Sequence, residues 1–351
     1  MILMNYVHSL WSFYLVWSLI SSIGINVALG MPLDVAITNW FIRKRGTAMS
    51  IRWLFSGLSG VIGLPIVAWL IVTVGWRMAC VIGGVVMWVV GLPLVFFFIK
   101  AHRPEHYGML PDGATQMPTG ADGESLTEAD YAAQLGEVEF TTVQALKTSA
   151  FWLMIFAYMF HAALYPVMNI HCIPFLTDRG MEPLRAAATM SIFITASIPA
   201  RFLGGVIVDR VQTSTINFLM AGAFLMQAVG VTIFLYNQQS MLALYTFFIV
   251  YGMGMGATMP IQPVLQSRYF GRPSFGTIAG ISRVLNMPVG MAGPVLAGWI
   301  YDRTGSYTLA FTLFAATLAL AGVTMCFVRR PKPPTPKTEA PMEALSAENA
   351  G

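Results

Sequence analysis

Nine stretches of mostly apolar residues succeed one another along the chain, at about 10–38, 47–73, 78–99, 149–176, 186–208, 215–236, 241–266, 276–300 and 308–328. Each is about as long as the ~20 residues that carry an α-helix across ~30 Å of hydrocarbon. Transmembrane strands are shorter and alternate with period two, and these runs do neither. The pattern therefore predicts an all-α polytopic membrane protein with nine transmembrane helices. Two stretches break it. Residues 100–140 are polar and largely acidic, with Asp112, Asp122, Glu124, Glu128, Asp130, Glu137 and Glu139, and read as a long loop. Residues 329–351 are rich in Pro and Ala without a hydrophobic period, and read as a disordered tail. The expected organisation is three helices over 1–99, a central loop over 100–148, a six-helix bundle over 149–328 and the tail over 329–351.

Composition agrees: 56% of residues are hydrophobic, 10% are charged and the mean hydropathy is +0.66. A soluble domain carries about 25% charged residues, so the solvent for this apolar surface is lipid. The formal charge of +4 does not point to nucleic acid, because the basic residues are spread over connections. Cys80, Cys172 and Cys326 fall in apolar runs at unrelated spacings, which suggests neither a disulfide framework nor a metal site. No cofactor is implied. Residues 1–12 lack the basic start and cleavage site of a signal peptide.

The placement of basic residues orients the bundle. Arg43, Lys44, Arg45, Lys100, Arg103, Lys147, Arg210, Arg268, Arg272, Arg329, Arg330, Lys332 and Lys337 lie on one side, and only Arg77, Arg179, Arg185 and Arg303 on the other. The central loop and the C-terminus are thus expected in the cytoplasm, with Met1 outside. Trp40, Trp76, Trp152 and Trp299 sit at span ends, where indole rings prefer the interface.

The chain also matches itself at an offset of 230 residues: Gly46, Thr47, Ile51, Gly60, Gly63, Trp69 and Gly75 recur as Gly276, Thr277, Ile281, Gly290, Gly293, Trp299 and Gly305. Gly24 likewise matches Gly254. Shared small residues suggest shared close packing, and a parallel repeat of six-helix halves is an architecture of secondary transporters.

Ionisable groups deep in a span are costly and mark function by default. Arg201 lies about 12 Å from the inner end of its helix, Arg283 about 10 Å and Arg52 about 9 Å. Asp34, at a similar depth in the first span, is a counter-charge for Arg52, which leaves Arg201 and Arg283 without an evident carboxylate. Guanidinium stays charged in proteins and its planar fork fits a carboxylate bidentately. The expected substrate is a small organic anion held by Arg201 and Arg283, with His161, Tyr165 and Asn286 as further candidates. The competing reading has both arginines snorkelling or bonded to backbone carbonyls. His161 and His171 are candidates for relaying a co-transported proton, since histidine titrates near neutrality, and a packing role competes equally. Tyr158, Asn169 and Gln262 are further polar residues of the spans. The alternating Gly252, Gly254 and Gly256, with Pro260 and Pro263, read as close packing before bending. Asp209 is expected to hold the following loop through Arg210. No metal-ligand spacing, nucleophile elbow or Walker sequence appears, which argues against an enzyme or an ATP-driven pump.

Several motifs in order resemble the major facilitator superfamily: Asn39-Trp40-Phe41 with Arg43-Lys44-Arg45-Gly46 and Ala48; Gly75-Trp76-Arg77; Arg103-Pro104-Glu105, Tyr107-Gly108 and Pro111-Asp112-Gly113; His171, Pro174-Phe175-Leu176, Gly180 and Ala186-Ala187; Gly205 with Asp209-Arg210; and Gly298 to Arg303 with Gly305-Ser306-Tyr307. The central-loop motif resembles the monocarboxylate and oxalate–formate-type branches. The resemblance implies helices four to twelve of a twelve-helix fold, with Met1 just before helix four. It makes Gly205, Asp209 and Arg210 a conformational loop motif, in which Gln212 and Thr213 depart from the usual glycine and basic residue. It also places Arg201 where monocarboxylate-type porters carry a substrate-binding arginine, with Ser197 where they often carry an aspartate, and Arg283 near a second cation of the oxalate–formate type. The expected protein is a multi-pass secondary transporter of the plasma (inner) membrane, monomeric, working by alternating access on a small organic anion and contacting lipid but no nucleic acid. The alternatives are an exporter of drug-like or neutral solutes and a non-transporting remnant.

Overall fold

The computed structural model describes residues 2–25, 30–100, 102–113, 138–236 and 240–333. Residues 114–137 of the expected central loop and the expected tail beyond residue 333 lie outside them. All regular structure among the described residues is helical. Ten helices are labelled here in chain order: α1 Leu10–Ser21, α2 Met31–Trp40, α3 Arg45–Phe98, α4 Thr142–Leu146, α5 Ser149–Thr177, α6 Pro183–Arg210, α7 Ile216–Tyr236, α8 Met241–Phe270, α9 Phe275–Thr304 and α10 Thr308–Cys326.

Seven helical elements among the described residues are long and apolar enough to cross a membrane, against nine expected spans. Two local events account for the difference. The runs 47–73 and 78–99 join in α3, whose helical path is broken at Gly75 (φ 80°, ψ 158°). An L-residue side chain resists that backbone conformation, so the break falls on glycine. The first run, 10–38, is divided: α1 contains wide π turns, and α2 begins again at Met31 with Pro32 in its first turn.

The helices α5 to α10 enclose the core. One cluster joins Leu164 and Phe175 of α5, Phe193 of α6, Phe234 of α7, Phe248 and Tyr251 of α8 and Phe311 and Leu318 of α10. A second joins Phe151 and Met154 of α5, Phe224 of α7, Val264 of α8, Ile278 of α9 and Met49 of α3. Gly252 and Gly256 of α8 press against the backbone of α6, and Gly254 against that of α7, which is the close-packing role expected of them. By contrast α3 exposes Phe55, Ile62, Leu64, Trp69, Val72, Trp88, Phe96 and Phe98, an apolar surface suited to hydrocarbon.

The repeat is visible in the backbone. Its two copies begin helices at Arg45 and Phe275 and end at glycines with positive φ, Gly75 (80°) and Gly305 (67°). Their surroundings differ. Gly290 and Gly293 lie against Ala162 and Ala163 of α5, whereas a Cβ on Gly60 or Gly63 would meet nothing within 4 Å among the described residues.

The first helices meet the α5–α10 bundle along two seams, α2 on α9, and α3 on α6 and its neighbour α8. At the second, Gly46 and Gly205 bring the two backbones into contact: a Cβ on Gly205 would collide with the Ser50 hydroxyl and the Gly46 carbonyl. The Ser50 hydroxyl donates to the carbonyl oxygens of Arg201 (2.9 Å) and Phe202 (3.0 Å). Gly205→Val should therefore force the helices apart. Overpacking of this kind costs about 1–3 kcal/mol, enough to lower the melting temperature of the solubilised protein by several degrees. Gly60→Val, in open space, should leave that temperature unchanged, and equal melting of the two variants would contradict the seam.

Candidate functional site

Two arginines share one aspartate where these seams meet, and a third arginine is joined to them through Trp53. Asp34 of α2 is buried, and its two carboxylate oxygens take different partners. Oδ1 pairs with Arg52 of α3 at 2.8 Å, and Oδ2 accepts from Arg283 of α9 at 3.0 Å. The expected pairing of Asp34 with Arg52 is present. The expectation that Arg283 lacks a carboxylate is corrected: α2 packs on α9, so the same aspartate reaches it from 249 positions away in sequence. Depth along each helix gave no access to that crossing.

Arg52 is fixed by more than the ion pair. It donates to the Gly30 carbonyl at 3.0 Å, and its guanidinium lies 4.4 Å from the Trp53 ring centre. Trp53 also serves the third arginine, because its carbonyl accepts from Arg201 Nη1 of α6 at 3.2 Å. Arg201 can come this close to α3 because Gly57 leaves it room. Its Nε is buried without a hydrogen-bond partner, and among the described residues no carboxylate pairs with it. Tyr165 of α5 is close enough to act electrostatically on Arg201. Among the described residues, Arg52 and Arg283 against Asp34 leave one positive charge in excess, and Arg201, joined to them only through Trp53, adds a second. Arg283 also lines a cavity of about 730 Å³ between α2 and α9, with Met31, Val35, Lys100, Thr277 and Gly280.

The other expected residues are divided between this cluster and the core. Asn286 follows Arg283 by one turn of α9, and its Oδ1 is buried without a partner. Tyr165 is exposed, and its carbonyl accepts from Asn169. His161 stacks on Phe224 of α7 at 4.9 Å between centroids, inside the α5–α10 bundle, with its Nε2 unpartnered. Tyr158 is buried beside the same Phe224. His171 has both ring nitrogens engaged, Nδ1 with the Tyr307 hydroxyl (3.2 Å) and Nε2 with the Pro294 carbonyl (3.0 Å). Ser197 is buried in the α6–α8 seam, where its hydroxyl donates to the Ile194 carbonyl.

At the end of the bundle bearing the central loop, two aspartates hold the start of α3. Lys44 precedes α3 and offers no side-chain cap. Asp209, the penultimate residue of α6, supplies one from outside. It accepts from the amides of Gly46 and Thr47 (2.7 Å each) and from the Thr47 hydroxyl (2.8 Å), and pairs with Arg268 of α8 at 3.2 Å. A carboxylate at the end of its own helix faces an unfavourable dipole, but here it sits on the favourable N-terminus of another. The expected partner Arg210 is corrected: it is exposed, and Arg268 takes its place because α8 packs along α6. Asp112 accepts from the amides of Ile42, Arg43 and Lys44 in the same way. Arg45, read from the sequence as a loop charge, is buried and donates to the carbonyls of Phe41 and Thr38. Arg272, also buried, reaches the Asn39 carbonyl (3.1 Å) and Glu105 (2.8 Å), tying the α8–α9 turn to α2 and the central loop. No group of three or more His, Cys, Asp or Glu residues suited to a metal occurs among the described residues.

Residues 1–294 match a family model described as Major Facilitator Superfamily. A probable sulfoacetate transporter of Cupriavidus necator is 25% identical over 314 residues, covering 84% of this chain and 67% of that protein. Monocarboxylate transporter 12 of Mus musculus is 25% identical over 323 residues, covering 88% and 65% respectively. The chain thus spans about two thirds of the length of the curated relatives it matches. Among solved structures, a proton:xylose symporter of the same superfamily superposes with a TM-score of 0.63 at 14% identity, over 91% of this chain and 71% of its own, a likeness of fold.

Proposed function

The chain belongs to the major facilitator superfamily, and on that premise we propose that it is a secondary transporter, not an enzyme, that carries a small organic anion by alternating access. The observation that carries the choice of an anion is the excess of positive charge among the described residues: Arg52 and Arg283 share the one carboxylate of Asp34, and Arg201, on the far side of Trp53, has none. Guanidinium groups cannot shed that charge, so the cluster is stabilised by an anion brought from outside. Arg201, with a buried unpartnered Nε and no carboxylate among the described residues, offers the fork for one. Tyr165 and Asn286 stand on α5 and α9 near it and near Arg283, and are proposed as further contacts with the substrate. The two relatives named above agree in kind, since they carry the names of a sulfoacetate and a monocarboxylate transporter.

The ties at the central-loop end fit alternating access. Asp209, Arg272 and Ser50 close the two seams at that end, while a Cβ on Gly60 or Gly63, farther along α3, would meet nothing within 4 Å among the described residues. The proposed motion breaks these ties and forms others at the opposite end. The bias of basic residues toward the central-loop end supports a cytoplasmic position for that end in a plasma-membrane protein. For a coupled proton, the geometry favours neither histidine strongly: His171 is fully hydrogen-bonded and His161 is packed on Phe224.

Ligand-induced thermal shift tests the sign of the substrate. Lactate, pyruvate or oxalate should raise the melting temperature of the solubilised protein by several degrees at millimolar concentration, since a ligand at a hundred times its Kd adds about 2.7 kcal/mol. Lactamide, equal in size but neutral, should not. An equal shift with lactamide would favour the neutral-solute reading.

A further inference from the structure

Asp34 is bound twice, and its two bonds are unequal. Arg52 is largely buried, with 15% of its side chain exposed, and is held by the Gly30 carbonyl and Trp53 as well. Arg283 is 46% exposed and lines the 730 Å³ cavity, whose lining among the described residues holds a second cation, Lys100, and no carboxylate. Of the two partners, Arg283 alone is therefore open to an incoming anion. If Arg283 leaves, Asp34 keeps its 2.8 Å pair with Arg52 and is not stranded as a bare buried charge. If a substrate carboxylate takes Arg283, the arginine exchanges one carboxylate for another of the same charge and geometry. Neither step carries the large penalty of unpairing a buried ion.

We infer that Asp34 is an internal stand-in for the substrate: it latches α2 to α9 through Arg283 when no anion is bound, and the substrate's carboxylate displaces it. The inference rests on the reading of the cluster as an anion site. Asp34 joins helices that belong to opposite sides of the seam, so its displacement weakens closure at the central-loop end when substrate has arrived. The same contact that makes the empty carrier hold still is the one the substrate competes for. Asp34 is thus a specificity-determining and positioning residue. A ligand without an anionic group leaves the latch closed, however well it fits the cavity.

The test compares the full chain with Asp34→Asn, using lactate and oxalate as probes. Removing the competitor should tighten the Kd for lactate about tenfold, while uptake into proteoliposomes slows because the latch no longer distinguishes empty from loaded carrier. Asp34→Glu, which keeps a competing carboxylate, should leave the Kd within about threefold of the unsubstituted protein. An unchanged or weaker Kd in folded Asp34→Asn overturns the latch. Should that variant fail to fold, a cysteine placed at Thr277 in the otherwise unsubstituted chain reads the α2–α9 gap directly. Its labelling by a water-soluble maleimide, above the background of the chain without it, should quicken on adding lactate or oxalate and not on adding lactamide. Labelling indifferent to the anions overturns the proposal. Failure of the unsubstituted protein to bind either anion removes the anion site itself, whereas anion binding that ignores Asp34 removes the latch alone.

Discussion

Arg201→Leu is expected to reduce anion uptake at least a hundredfold while the protein still inserts and melts as a folded species. The guanidinium supplies two hydrogen bonds to a carboxylate, each worth about 1.5–3 kcal/mol when the partner is charged. Two such bonds correspond to two or more powers of ten. In the structure Arg201 donates to the Trp53 carbonyl and has no carboxylate among the described residues. Its removal therefore leaves no buried anion behind, and the fold does not depend on it as it would on half of an ion pair. Arg201→Lys should recover little, since an ammonium group lacks the planar fork and would lie at another depth. Uptake undiminished in Arg201→Leu would move the site elsewhere in the cluster. Uptake and thermal stability lost together would make Arg201 a packing residue.

Asp209→Asn is the second large effect. The carboxylate receives two amides, a hydroxyl and a guanidinium, and joins the end of α6 to the start of α3 and to α8. The amide side chain keeps one acceptor oxygen and turns an NH₂ group toward the remaining donors. Loss of the charged acceptor should cost about 1.5–3 kcal/mol, with up to about 1 kcal/mol more from the dipole of α3. Uptake should fall at least several-fold, because the tie helps to close the central-loop end of the α3–α6 seam. A cysteine at Thr47 should label faster when combined with Asp209→Asn than in the otherwise unsubstituted chain. Equal labelling would show that Asp209 does not restrain this seam. Arg210→Ala, by contrast, should change neither uptake nor labelling, because Arg210 is exposed and Arg268 fills the role expected of it.

The membrane fold was legible wherever it depended on local chemistry. The apolar runs located α5 to α10 to within four residues at each end, and the 230-residue offset paired Arg45 with Phe275 and Gly75 with Gly305, where the helices begin and turn. Arg52 and Asp34 were matched because adjacent helices at equal depth must meet. What escaped were pairs that depend on which helices cross. Arg283 with Asp34, Asp209 with Gly46 and Thr47, and Arg272 with Glu105 each join groups more than 160 positions apart. A single sequence records no such adjacency. Arg45 misled for another reason. A basic residue after a span signals orientation, yet this one is buried against carbonyls four and seven positions earlier. The signal that remained readable was spacing: Asp209 stands at the end of its helix with no cationic neighbour but Arg210, and a carboxylate there is better used by a different helix.

The central claim is that net positive charge in the cluster of Arg52, Arg201 and Arg283 selects an anion for transport. The most direct measurement is uptake of labelled lactate, pyruvate, formate and oxalate into proteoliposomes holding the protein, beside labelled lactamide. The account predicts saturable uptake of one or more of the anions, inhibition by the others and none of the amide. Saturable uptake of lactamide equal to that of lactate, or transport of a neutral solute unaffected by excess anion, would contradict it.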